Sequence, residues 1–234
     1  MSGKDVNFSR RHLLGSIPVL ALAAAGCGSN NTLEDVVKEA GPAPKPTGPD
    51  EAIRVLTEGN ARFAARTPKI HDTADIELIW SDITKSQSPF ATVLGCADSR
   101  LAPELIFDQF VGDLFVVREA GNIAQTTTDL GSIEYGQAVL KSKALVVLGH
   151  SDCGAVKAAF QNAQVGGNMQ SFVDFIKAGI AGATSLDDAI VRNVNTVIDH
   201  IRKNSQIMRD AEKAGAVKIV GAVYDIKTAT VRFL

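Results

Sequence analysis

Three short apolar runs constrain this chain more than any other feature of its sequence. They are Ala91-Thr92-Val93-Leu94-Gly95, Leu114-Phe115-Val116-Val117 and Ala144-Leu145-Val146-Val147-Leu148. Each is nearly continuous in apolar character, where a half-exposed strand would alternate, and each contains β-branched residues; strands buried on both faces look like this. A fourth run, Val217-Lys218-Ile219-Val220-Gly221-Ala222-Val223, reads as another strand. Helical spacing fills the gaps. Leu130, Ile133, Val139 and Leu140 form a stripe between the second and third runs, and Ile190, Val194, Val197, Ile198 and Ile201 form one before the fourth. Ala52, Ile53, Leu56 and Phe63 form another ahead of the first. Strands alternating with helices imply right-handed crossovers and a parallel sheet. Residues 230–234 are placed to return as a hairpin partner after a turn near Asp225 to Thr228. The predicted class is α/β, with a small, mainly parallel central sheet flanked by helices.

The N-terminus carries a different signal. Ser9-Arg10-Arg11-His12-Leu13-Leu14 opens an apolar stretch that continues to Ala25, with Pro18 inside it. As a helix, residues 13–25 would span roughly 20 Å, short of the ~30 Å hydrocarbon core of a bilayer. Residues 1–27 therefore read as an export segment rather than a membrane span. Arg10-Arg11 in this setting resembles the twin-arginine signal, which carries proteins across a membrane already folded. Ala24-Ala25-Gly26-Cys27 resembles a lipobox, although Ala24 stands where Leu is usual; a small-residue cleavage site with Cys27 as bystander is the other reading. The expected location is exported, periplasmic or membrane-anchored on the outer side, with a lipid on Cys27 as the one membrane contact. Residues 28–50 follow as a linker. The Pro-rich stretch Gly41-Pro42-Ala43-Pro44-Lys45-Pro46-Thr47-Gly48-Pro49 lacks donors and favours an extended spacer of roughly 3 Å per residue. The remaining residues, 51–234, suit one domain. A formal net charge of -2 offers no basic face for nucleic acid.

Two motifs fall just past the carboxyl ends of two predicted strands, where sites form in open α/β sheets. Cys96-Ala97-Asp98-Ser99-Arg100 follows the first strand, and His150-Ser151-Asp152-Cys153-Gly154 follows the third. Two thiolates and an imidazole are strong zinc ligands, and three protein ligands leave a fourth position for water. Each motif alone is weak. A lone Cys is usually a small buried hydrophobe, and in an exported protein Cys96 and Cys153 are able to form a disulfide instead. Their joint placement with His150 favours metal. Folded export answers the redox objection, because zinc can be loaded in a reducing cytoplasm first.

Cys96-x-Asp98-x-Arg100 followed by His150-x-x-Cys153-Gly154 resembles the zinc-site signature of the β-class carbonic anhydrases. Matching runs extend from about Glu51 to Leu234. They include Glu58-Gly59-Asn60-Ala61-Arg62-Phe63, Pro103-Glu104-Leu105-Ile106-Phe107-Asp108-Gln109, Gly112-Asp113-Leu114-Phe115-Val116-Val117-Arg118, Ala120-Gly121-Asn122 and Gly221-Ala222-Val223-Tyr224-Asp225. The resemblance implies the β-carbonic anhydrase fold in a catalytic domain over 51–234. It implies Zn2+ held by Cys96, His150 and Cys153, and reversible hydration of CO2 to bicarbonate and a proton by zinc-bound hydroxide. Asp98 and Arg100 become a catalytic pair, Asp98 accepting the hydroxide's hydrogen bond; in some relatives that Asp closes onto the metal as a further ligand. Gln109 matches an amide that donates to a substrate oxygen, and the N–H of Gly154, at a helix N-terminus, is placed for the same task. A homodimer, or a multiple of dimers, is also implied, with the helix from Asp50 to Phe63 crossing to the partner.

Relatives with the same signature hydrolyse CS2 or COS, which makes that chemistry the alternative activity. A non-catalytic zinc scaffold is a third reading, but it would have no use for Asp98, Arg100 and Gln109. Phe110 stands where many relatives have a small residue, and Glu119 where an apolar residue or Asn is common. Both bear on pocket width and substrate range and not on the ligands. His71 and His200 read as surface residues, and Trp80 and Tyr224 as packing residues.

Overall fold

In the computed structural model, which describes residues 44–69 and 73–234, the apolar runs lie side by side in one five-stranded sheet. The strands are β1 (Ala91–Gly95), β2 (Leu114–Arg118), β3 (Ala144–His150), β4 (Lys218–Asp225) and β5 (Thr230–Phe233), in the spatial order β2-β1-β3-β4-β5. The first four are parallel and β5 returns antiparallel against β4, with Tyr224 opposite Val231. The expected α/β class, mainly parallel sheet and C-terminal hairpin are all present. Arg10, Arg11, Cys27, most of the linker, and His71 lie outside the described residues.

Burial follows position in the sheet. Every residue of β1 and β3 is buried, as continuous apolar runs require of central strands. β2 departs from that expectation, for only Leu114 is buried. It is the edge strand, flanked on one side alone, so the same apolar pattern is only half covered there.

The helices are α1 (Pro49–Ala64), α2 (Thr73–Ile83), α3 (Pro103–Ile106), α4 (Thr127–Ala138), α5 (Gly154–Phe160), α6 (Met169–Gly179), α7 (Leu186–Asn204) and α8 (Gln206–Lys213). α1 starts with Pro at its first position and Asp50 and Glu51 in its first turn, which suits the donors and positive dipole end of a helix start. It buries Ala52 and Leu56. α4 is closed at its start by a reciprocal capping box between Thr126 and Asp129. It stops at Ala138, so Val139 and Leu140 fall outside the expected stripe and Val139 is exposed. The chain leaves the helix through Lys141, whose φ of 60° is left-handed and whose N–H still reaches the carbonyl of Gln137. α7 buries the whole predicted stripe and, among it, Asn193. Trp80 on α2 is 56% exposed and is not a packing residue, whereas Tyr224 is buried. No helix among the described residues is long and apolar enough to cross a membrane.

The two ends of the described domain meet. Asn60 on α1 donates to the carbonyls of Ile106 and Ala229, both at 3.0 Å, and accepts from the N–H of Val231 at 2.7 Å. Beside it, Gly59 lies so close to the α3 loop that a Cβ would sit 1.8 Å from the carbonyl oxygen of Phe107. Before α1, residues 44–48 run extended against the domain. Pro46 is buried, and the Lys45 ammonium donates to the carbonyl of Ser88 at 2.9 Å and lies 3.7 Å from Asp113.

Candidate metal centre

The site lies where the sheet changes direction. From the carboxyl end of β1 the chain turns toward β2, and from that of β3 it turns toward β4 on the opposite side. Loops that diverge from adjacent parallel strands open a crevice between them. Gly95 pairs in register with Leu148, so Cys96, just past β1, stands level with the end of β3, where His150 is the last residue. Asp152, with φ 53°, supplies the left-handed turn that brings Cys153 back as the N-cap of α5.

The ligand atoms of Cys96, His150 and Cys153 all lie within 4.8 Å of one another, and all three residues are buried. Three observations fit them to a divalent metal. The His150 Nδ1 lies 3.0 Å from the carbonyl oxygen of Ser151, which fixes the proton on that nitrogen and leaves Nε2 as a lone-pair donor. Nε2 is itself buried with no hydrogen-bond partner, an arrangement that costs free energy unless something accepts its lone pair. Finally, the two sulfurs are held together in opposite senses. Hydrogen bonding from the Cys153 thiol pulls Cys96 well below the usual thiol range, helped by His150 and by the N–H groups of Gly121 and Asp98. The same contact, with burial, pushes Cys153 up. One proton thus serves two sulfurs, and a dication lets both ionise.

Asp98 and Arg100 form the expected pair. Arg100 donates to both carboxylate oxygens, Nε to Oδ1 at 2.9 Å and Nη2 to Oδ2 at 2.7 Å, and its backbone N–H adds a third bond at 2.9 Å. These bonds hold the Asp98 carboxyl well below the usual carboxylate range, against the effect of burial. Its Oδ2 lies 4.0 Å from His150 Nε2, so the charged oxygen faces the ligand that carries the free lone pair. Gly154 opens α5 directly after Cys153, with open space where a side chain would stand. Gln109 is placed differently. Its amide donates to the carbonyls of Phe107, at 2.6 Å, and Asp108, at 3.1 Å, in its own loop. The cavity of about 350 Å³ that it lines, with Arg62, Asp108 and Phe110, contains none of the three metal-ligand candidates. His200 is half-buried, packed edge-on against Phe175 at 5.2 Å.

Other residues shape the centre through contacts that the sequence did not announce. Arg118, at the end of β2, donates to the carbonyls of Cys96, at 3.0 Å, and Asp98, at 2.6 Å, and so staples the loop that carries both. The N–H of Gly121, in the turn after β2, donates to Cys96 Sγ at 3.2 Å. Asn193 donates to the carbonyl of Gly121 at 2.8 Å. The signal for Asn193 is a polar residue three positions after Ile190, on the apolar face of α7. Glu119, one of the two departures noted, engages through its backbone: it bonds Gly95 and Ala97 and continues the β1–β2 ladder into the site.

A doubly wound α/β sheet with two thiolates and one imidazole at its switch point, and a carboxylate held beside them, defines a catalytic zinc enzyme rather than a structural zinc module. The comparisons with known proteins agree. The family described as carbonic anhydrase matches residues 91–231. A carbonic anhydrase of Mycolicibacterium smegmatis is 39% identical over 189 residues, covering 77% of this chain and 90% of that protein. The solved structure of a Coccomyxa β-carbonic anhydrase in complex with acetazolamide superposes with a TM-score of 0.61 at 27% identity, covering 76% of this chain and 84% of that one. A tetrameric β-carbonic anhydrase from Sordaria macrospora shares the fold, with a TM-score of 0.62 at 24% identity over 79% of this chain and 97% of that one. The chain belongs to the carbonic anhydrase family, in its β class. Its cofactor is zinc and its reaction is the reversible hydration of CO2.

Proposed function

We propose that this β-class enzyme hydrates CO2 outside the cytoplasm, as a homodimer or multiple of dimers held to a membrane by a lipid on Cys27. The observation that carries the catalytic part is the Asp98 carboxylate, gripped by Arg100 through both oxygens yet 4.0 Å from His150 Nε2. Zinc on Cys96, His150 and Cys153 supplies a Lewis acid that brings the pKa of water from ~15.7 toward ~7. Asp98 stays ionised and acts as acceptor, orienting the proton of the nucleophile away from the incoming carbon. Arg100 keeps that carboxylate from swinging toward the cation. The Gly154 N–H, unencumbered by a side chain, donates to an oxygen of CO2 as it gains charge.

Gln109 supports the dimer. Its own-chain cavity holds no metal-ligand candidate and its amide bonds its own loop, so a role in the reaction requires that amide to turn into the site of a neighbouring copy. Leu105 and Val111, 64% and 56% exposed, flank it with the apolar surface that a subunit contact would cover. Export rests on Arg10-Arg11 before the apolar stretch, and lipidation on Cys27 at its end.

The test is stopped-flow hydration of CO2 by metal-quantified protein lacking residues 1–27, with COS and CS2 as parallel substrates and light scattering on the same sample. CO2 turnover in proportion to zinc, from a species of at least two chains, is expected. Zinc-loaded protein that turns over only COS or CS2 would overturn the substrate, and a fully active monomer would overturn the dimer.

A further inference from the structure

We propose that Asn193 is a positioning residue for the metal centre, acting through Gly121 to aim a backbone N–H at the sulfur of Cys96. Asn193 is fully buried on the apolar face of α7, between Ile190, Val194 and Val197. Its Nδ2 donates to the carbonyl of Gly121 at 2.8 Å, and the N–H of the same glycine donates to Cys96 Sγ at 3.2 Å. Gly121 adopts φ 74° and ψ 20°, a left-handed conformation that glycine takes without penalty. A Cβ there would lie 2.6 Å from Ile176 Cδ1 and 3.3 Å from Ala155 Cβ, so the residue is confined on both counts. Fixing its carbonyl from α7 therefore fixes the direction of its N–H.

If packing were the whole task of position 193, an aliphatic side chain would serve it better. The Oδ1 of Asn193 is buried without a partner, as is the Nδ2 of neighbouring Asn122. A half-satisfied carboxamide in an apolar interior is costly, and retaining it points to the one bond it does make. That bond has an electronic consequence. An N–H donated to a thiolate draws charge from the sulfur and lowers its lone pairs, leaving a cation on Cys96 a stronger Lewis acid. Through Gly121, 72 residues from Asn193 in sequence, α7 thus reaches the sulfur of Cys96.

The inference rests on Cys96 being a zinc ligand, which the zinc content of the unmodified protein tests separately. Asn193→Leu keeps the volume and removes the donor; Asn193→Ser, too short to reach Gly121, serves if the Leu variant does not fold. Zinc affinity is read by chelator competition, and Co2+ is bound in place of zinc to read the sulfur-to-metal charge-transfer band. A loss of about tenfold in zinc affinity is expected, the lower end for a lost second-sphere bond, with the cobalt band moved to longer wavelength and the far-ultraviolet circular dichroism unchanged. Unaltered affinity and band in either folded variant would overturn the proposal. So would weakened affinity with an unmoved band, because that pattern means general loosening and not an effect on Cys96.

Discussion

Asp98 owes its charge to one guanidinium. Arg100 meets both carboxylate oxygens and lowers the pKa of the group enough that no ordinary assay pH protonates it. A carboxyl whose folded value is depressed contributes stability that is present above its unfolded value of ~3.9 and is lost only as pH falls through the lower, folded one. The hydration rate should accordingly show no acid limb from Asp98 between about pH 5 and 9. Asp98→Asn should keep its zinc while the rate falls roughly 10²- to 10⁴-fold, the range of a positioning or acid–base group. Metal analysis beside a pH–rate profile checks both; an acid limb near pH 5 that disappears in the Asn variant would contradict the assignment. At this scale the ligands and the dyad were legible because each sits in a five-residue loop motif. Arg118 and Asn193 were not, because their partners lie 20 or more residues away and neither residue type announces a carbonyl that needs holding.

Among the elements, those in the middle of the sheet could be read directly, since β1 and β3 are apolar for the plain reason that both faces are covered. The edge strand β2 has the same composition with half the burial, a difference that only the strand order decides. The end of α4 was misplaced because Val139 and Leu140 keep the helical spacing, whereas a left-handed turn at Lys141 ends the helix. The contact between α1 and the α3 loop was legible as the run Gly59-Asn60 but not as a contact. It leads to a prediction about Gly59→Ala. In a helix interior Ala is favoured over Gly by ~1 kcal/mol, yet here the new methyl would meet the Phe107 carbonyl at 1.8 Å and Gln109 Nε2 at 2.9 Å. Overpacking of this kind costs about 1–3 kcal/mol, and a backbone oxygen yields less than a side chain, so the variant should be destabilised on balance. Thermal melts should show a midpoint lower by several degrees; an unchanged or higher midpoint would show that the two elements slide apart freely.

For the molecule as a whole, the export proposed from Arg10-Arg11 is compatible with two thiol ligands in one order of events. On that proposal, zinc bound in a reducing compartment engages both sulfurs before they would cross to an oxidising one, so that they are never exposed there as free thiols. Replacing Arg10 and Arg11 with Lys should leave active, zinc-loaded precursor in the cytoplasm, as cell fractionation with zinc and thiol assays on each fraction would show. Normal export of the Lys-Lys chain would refute the twin-arginine reading.

Asn60 adds a constraint on that order, and it concerns time. Its side chain joins the first described helix to the last strand, across 171 residues to Val231. A ribosome adding about 5–20 residues per second delivers α1 roughly 10 to 30 seconds before β5 exists. Through that interval the inward face of α1, with Ala52 and Leu56, has no completed surface to rest on. Closure of the domain therefore waits until β5 has been made, and on the proposed export route a translocase that accepts only folded cargo would wait for α1 and β5 to find each other.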